Sequence, residues 1–143
     1  MKHFAKKIHA MHIMYRLPVH HVPTIPTDVI DRLQKFKRTL VDEVNEIDDI
    51  VAATEFVDST DVAVMIADVL GDIVVYCHSE ALKYGVQLDD VLNIIMASNE
   101  SKLDADGEPI YNSDGKFLKG PNYWKPEPAI RKLLLSRING TYR

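Results

Sequence analysis

The chain has 143 residues, 46% of them hydrophobic, and its 21 acidic residues outweigh 17 basic ones for a net charge of −4. That length supports a single domain, taken here as residues 1–143, with a real core and little more. The acidic balance excludes a nucleic-acid-coating surface, which carries a basic excess or a clustered Lys/Arg face, and the lone Cys77 allows no internal disulfide and no cysteine zinc knuckle, in keeping with a reducing cytoplasm.

In chain order, residues 2–17 carry Phe4, Ile8, Met11 and Tyr15 at spacings of three and four, which predicts a helix closed by Pro18. Lys and His residues break up this segment, so it has no continuous apolar stretch of a secretory signal and no targeting segment is expected. His9 and His12 stand three apart with no Cys or acid to complete a metal site. A Pro-bearing connector, residues 18–26, follows, with His20 and His21 read as structural or exposed. Thr27 then reads as the N-cap of a long helix to about Ala53, with Asp28 and Asp31 in its first turn.

On that second helix Leu33, Leu40, Val44, Ile47 and Val51 form one apolar stripe. At ~100° per residue, Asp42, Glu43, Glu46 and Asp49 fall within an arc nearly opposite the stripe. An acidic arc opposite an apolar stripe is ordinarily the solvated face of an amphipathic helix, so this segment alone decides nothing.

The third helix is predicted from Ser59 or Thr60 to Tyr84, with Gly85 as its left-handed terminator. Within it, residues 62–77 are uncharged except for Asp68 and Asp72. Val and Ile favour strands, but the run is too long for an ordinary strand, and it is shorter than a membrane span and carries two acids, so no transmembrane helix is expected. A helix apolar nearly all round is expected to be buried, with neighbours on several sides including a second subunit. Two carboxylates in such a helix need pairing or a cation. Four residues apart, Asp68 and Asp72 share one face, with Asp61 two turns earlier. Gly71 between them reads as a point of close helix packing. Helices joined by a short connector pack antiparallel, so the acids of the second and third helices come together as the hard oxygen ligands that Mg2+ or Mn2+ prefers.

A fourth helix is predicted over residues 88–101. Residues 108–126 are rich in Gly, Pro, Asn and Asp, without helical period, and Ile110-Tyr111 can pair with Lys116-Phe117-Leu118 around Asn112 to Gly115 as a short hairpin. A last helix starts near Pro126 or Pro128. The fold class is therefore all-α, a bundle of four to five helices with a hairpin-like loop near the C-terminus.

Asp42-Glu43-Val44-Asn45-Glu46 followed by Asp68-Val69-Leu70-Gly71-Asp72 resembles the paired acidic motifs of the all-α nucleoside triphosphate pyrophosphohydrolases, the MazG-like proteins and phosphoribosyl-ATP pyrophosphohydrolases. Ser98-Asn99-Glu100-Ser101-Lys102, Lys119-Gly120-Pro121-Asn122-Tyr123 and the opening His12-Ile13-Met14-Tyr15-Arg16-Leu17-Pro18 are similar to elements of one MazG-like subgroup. The likeness covers most of the chain. It departs from the family at Asp42, where the motif begins with Glu, and at Val69, where a Glu is wanted beside Asp68.

The resemblance implies hydrolysis of a nucleoside triphosphate to monophosphate and pyrophosphate, a purine deoxynucleotide such as dGTP or dATP being preferred. It implies catalysis by Glu43, Glu46 and Asp72, metal binding by these with Asp42 and Asp68, and Mg2+ or Mn2+ as cofactor. Asn99, Lys102, Lys119, Asn122, Tyr123, His12 and Ile13 are its candidate substrate contacts. Without it the lysines are ordinary surface residues, Asn99 a helix-end cap, and Tyr123 and Trp124 packing residues. It also implies a homodimer or homotetramer in the cytoplasm, with no nucleic-acid or membrane partner. Two readings compete: phosphoribosyl-ATP as the substrate, or a non-catalytic helical dimerisation module.

Overall fold

The computed structural model describes residues 2–139. It holds five helices, α1 (Lys2–Tyr15), α2 (Val29–Ala53), α3 (Ser59–Lys83), α4 (Leu88–Glu100) and α5 (Glu127–Ile138), and no strand among the described residues. The all-α class expected from the sequence is thus found. By internal contacts the chain forms two compact units, Met1–Val86 and Gln87–Arg143.

In the first unit, α1 and α2 both pack on α3. Helix α1 docks through a line one turn apart: Phe4 meets the buried His78 edge-on at 5.2 Å, Ile8 is buried, and His12 is completely enclosed. Tyr15, assigned to the apolar stripe by its spacing, is instead exposed. The connector seals the end of α3, whose last carbonyls have no partner within the helix. The His20 amide donates to Leu82 O at 3.0 Å, the Thr24 amide to Tyr84 O at 2.8 Å, and His20 Nδ1 to Lys83 O at 2.8 Å. Gly85 takes φ +70°, and a Cβ there would strike the Val22 carbonyl, so only glycine fits.

Two cap assignments shift by a residue. Asp28, not Thr27, occupies the N-cap of α2, where its carboxylate binds Arg32 Nε at 2.8 Å instead of a backbone amide. Asp58, not Ser59 or Thr60, caps α3, accepting from the Asp61 amide at 2.8 Å. Asp58 belongs to the strong N-capping types, so the local signal was present one position earlier.

The packed line of α2 runs through Glu43 and Ile50, both buried, and that of α3 through Val69. This inverts the expectation for α2, because Leu33, Val44, Ile47 and Val51 of the apolar stripe are exposed while Glu43 is covered. Within this chain α3 leaves Val64, Ile66, Leu70 and Val74 open, and nothing lies within 4 Å of a Cβ placed on Gly71, so no neighbour in the chain packs closely there as expected. At ~100° per residue in an antiparallel pair, Glu46 and Asp42 of α2 and Asp72 and Asp68 of α3 lie on one flank of the seam. Leu40, Val44, Ile47 and Val51 with Ile66, Leu70 and Val74 lie on the other. By length and composition α3 could cross a membrane, with a mean hydropathy of 1.6 over its most apolar 18 residues; in this unit it is the helix on which the other two pack.

In the second unit α4 packs on α5, and the intervening loop is tied to the end of α4. Buried Ser98 donates through Oγ to Trp124 O at 2.8 Å, Ser101 Oγ accepts from the Trp124 amide at 3.1 Å, and the Gly120 amide donates to Lys102 O at 2.7 Å. A Cβ on Gly120 would strike the Lys102 and Leu103 carbonyls. The predicted hairpin is a single antiparallel bridge between Tyr111 and Phe117, with Gly115 at φ +80°.

Candidate metal and ligand site

Glu43 and Glu46 stand three residues apart on α2 and therefore on one face, and α3 brings Asp72 opposite them. Each offers a carboxylate oxygen within 4.8 Å of the other two. The group grades outward: Glu43 is buried, Asp72 half-buried, and Glu46 exposed. Glu43 Oε2 is enclosed without a hydrogen-bond partner. Burial, then the negative charge of Glu46 and Asp72, pushes the Glu43 carboxyl above its ordinary value of 4.5, against a smaller opposing pull from the neighbouring Tyr76 hydroxyl. The same burial and the Glu43 and Asp72 charges push the Tyr76 hydroxyl above 10.0, so it remains a donor.

A buried acceptor without a donor is unstable on its own. Three carboxylates converging on one point repel one another and attract a hard divalent cation, for which all-oxygen ligation is the ordinary set. The residues present thus fit Mg2+ or Mn2+, with Glu43, Glu46 and Asp72 as ligands. Asp42 and Asp68 are exposed and lie outside this group. Asp68 lies on a face of α3 that this chain alone leaves open.

Of the other candidates in this unit, His12 is fully buried, its Nδ1 meeting Pro18 O at 2.8 Å and its Nε2 meeting Ser79 Oγ at 2.7 Å. A carbonyl only accepts, so Nδ1 carries the proton and Nε2 accepts from the serine hydroxyl. Burial lowers the His12 pKa below 6.5. Both ring nitrogens are spent within the protein, and none is left for a nucleotide; Ile13, beside it, is 62% exposed.

The second unit brings Lys102 and Gly120 together through the backbone bond above, and Lys119 lays its Nζ 5.0 Å over the Tyr123 ring. Asn99, Lys119 and Asn122 are exposed, and Lys102 and Tyr123 are half-buried. In the segment Ser98 to Lys102 the two serines, not singled out by the sequence reading, hold the loop in place.

Motif reasoning also does not reach a cavity of about 360 Å³ walled by α1, α2 and α3. Tyr76 lines it and also stands close enough to Glu43 to feel its charge, so cavity and carboxylate group adjoin. Tyr15 and Phe36 supply aromatic walls, and Arg32, Lys35, Lys83 and Glu80 its charged groups. Burial and the Glu80 carboxylate push Tyr84 up to about 12, keeping it the 2.7 Å donor to Glu80 Oε2. The signal for Glu80 was a third acid two turns beyond Asp72 on the same apolar helix.

No family model and no curated protein sequence matches the chain. Among solved structures, the chain is similar to a protein from Exiguobacterium sp. 255-15 described as a "putative NTP pyrophosphohydrolase", whose crystal structure is at 1.78 Å resolution. The TM-score is 0.55 at 22% sequence identity, covering 82% of this chain and 69% of that one. At that identity the likeness is one of fold, and it extends over most of both chains.

Proposed function

We propose that the protein is a metal-dependent nucleoside triphosphate pyrophosphohydrolase, releasing a nucleoside monophosphate and pyrophosphate. The observation that carries this reading is the convergence of Glu43, Glu46 and Asp72 within 4.8 Å around an unpartnered buried oxygen. The motif order in the sequence and the fold of the Exiguobacterium protein support it. A divalent cation held there would supply charge neutralisation for the phosphates and activation of a water. The chain's own groups set the stage: Tyr76 stands beside Glu43, Glu46 leaves the group open to incoming phosphate, and a carboxylate not fully used as a ligand, Asp42 or Glu43, orients the water or accepts its proton. Lys102 and Lys119 are carried as phosphate contacts on the resemblance alone.

A second copy of the chain completes this reading by covering the apolar flank of α2 and α3. Val44, Ile47, Val51, Leu70 and Val74, each 44% to 64% exposed, form a patch that monomers rarely leave open. A Mn2+ titration followed by pyrophosphate assay on a panel of nucleoside triphosphates tests the function. Metal-dependent release, lost in Glu43→Gln, is expected. No release with any of them, together with no metal binding tighter than millimolar, sinks the reading in favour of a helical interaction module.

A further inference from the structure

Helix α1 and the connector bring together two imidazoles that the carboxylate chemistry does not use. By spacing, the partner of His9 would be His12, one turn away on the same helix. His12 is not free to serve, because its Nδ1 is held by Pro18 O at 2.8 Å and its Nε2 by Ser79 Oγ at 2.7 Å. The structure gives His9 another partner. Its ring centroid lies 5.8 Å from that of His21, with 36° between the ring planes. Among the described residues, no hydrogen bond engages a ring nitrogen of either one.

Both residues are positioned by their neighbours. His9 is half-buried and follows Ile8, which is buried where α1 docks. His21 follows His20, whose amide donates to Leu82 O at 3.0 Å and whose Nδ1 donates to Lys83 O at 2.8 Å. The two backbones are therefore fixed before any ligand arrives, which lowers the ordering cost of chelation.

Neutral imidazole suits Zn2+, whereas Mg2+ and Mn2+ prefer the oxygens that Glu43, Glu46 and Asp72 offer. Two imidazoles on one tetrahedral Zn2+, with Zn–N bonds of about 2.0 to 2.1 Å, hold their ring centroids roughly 5 Å apart. The observed separation is within about 1 Å of that, and the exposed His21 side chain can close the gap by turning about its own bonds. No third His, Cys, Asp or Glu joins the pair among the described residues, so water fills the remaining positions on the ion.

We infer that His9 and His21 form a zinc-binding pair, separate from the carboxylate group, in which Zn2+ ties α1 to the connector. His20 and Thr24 of that connector seal the last carbonyls of α3, so the ion braces α1 against the end of α3. The two histidines are apposed only when the chain is folded, and Zn2+ held by both therefore favours the folded state. Nothing in this inference depends on the hydrolytic reading.

The test is calorimetric titration of the full chain with Zn2+, in millimolar Mg2+ so that the carboxylate group is offered its own hard ion. Submillimolar Zn2+ binding is expected, weakened at least about tenfold in His9→Gln and in His21→Gln. His3→Gln, at an exposed histidine of the same helix, and Glu43→Gln are expected to leave it unchanged. Zn2+ is also expected to raise the urea midpoint of the unaltered protein but not that of His21→Gln. If His9→Gln does not fold, His21→Gln decides alone, because its side chain is exposed. No submillimolar binding, or unchanged affinity in His21→Gln, overturns the inference. Loss of binding in Glu43→Gln with retention in His21→Gln assigns the ion to the carboxylates and overturns it as well.

Discussion

Glu43 on α2 and Asp72 on α3 hold carboxylate oxygens within 4.8 Å of one another, with Glu46 alongside and, among the described residues, no cationic side chain in an ion pair with them. Like charges this close cost stability, and a divalent cation between them would offset that cost. Asp72→Asn is therefore expected to leave the metal-free protein as stable or more stable, and to lower turnover at least about 10²-fold, or ~2.7 kcal/mol of transition-state stabilisation. Urea unfolding and steady-state kinetics on the same preparation check both halves.

Metal should stabilise the fold through the same three residues. At a free Mn2+ concentration of about 100 times Kd the gain is ~2.7 kcal/mol, reversed by a chelator. Glu43→Gln, which removes the buried ligand, is expected to abolish the gain. A full gain in that variant would place the metal elsewhere.

Glu43, Glu46 and Asp72 were legible as a group because acids three or four residues apart share a helix face, and an antiparallel neighbour brings two such faces to one seam. Which flank packs was not legible. The stripe from Leu33 to Val51 reads as the core face of α2, yet α3 covers Glu43 and Ile50, and the stripe stays open. A single helix's periodicity cannot say which neighbour buries it. Asp68, one turn from Asp72, is exposed and stands outside the three converging carboxylates, a placement that depends on which flank α2 covers. His12 depends on Ser79, 67 residues away, and no local pattern announces that pairing. Glu80, Arg32 and Lys83 share a cavity formed only when three helices meet.

The His12 tie gives a pH dependence with a definite sign. Burial holds the folded-state pKa below 6.5, so the unfolded chain binds the extra proton more readily, and stability rises with pH. The contribution is intact above about 6.5 and is lost as pH falls from there through the lowered folded value. Urea unfolding at several pH values should show this slope, and His12→Gln should flatten it. An equal slope in the variant would assign the effect to another group.

Gly85 is fixed by backbone geometry, with φ +70° and the Val22 carbonyl where a Cβ would go. Gly85→Ala is expected to cost roughly 2 to 4 kcal/mol, by strain and by loosening the connector from α3. The same change at Gly107, which has φ +80° but nothing within 4 Å, should cost about 1 kcal/mol from strain alone, and urea unfolding of the two variants separates the contributions.

The apolar flank predicts self-association. Light scattering at tens of micromolar should find dimers or larger, and Leu70→Lys should shift them toward monomer without loss of helix content. A monomer in the unaltered protein would leave the exposed Val44, Ile47, Leu70 and Val74 to another partner.

The central claim is most directly tested by phosphorus NMR of the products formed from dGTP and Mg2+, run in parallel on the unaltered protein and Asp72→Asn. The account predicts dGMP and pyrophosphate in equal amounts from the former, and intact dGTP from the latter. Formation of dGDP and inorganic phosphate, or equal turnover in Asp72→Asn, would contradict it.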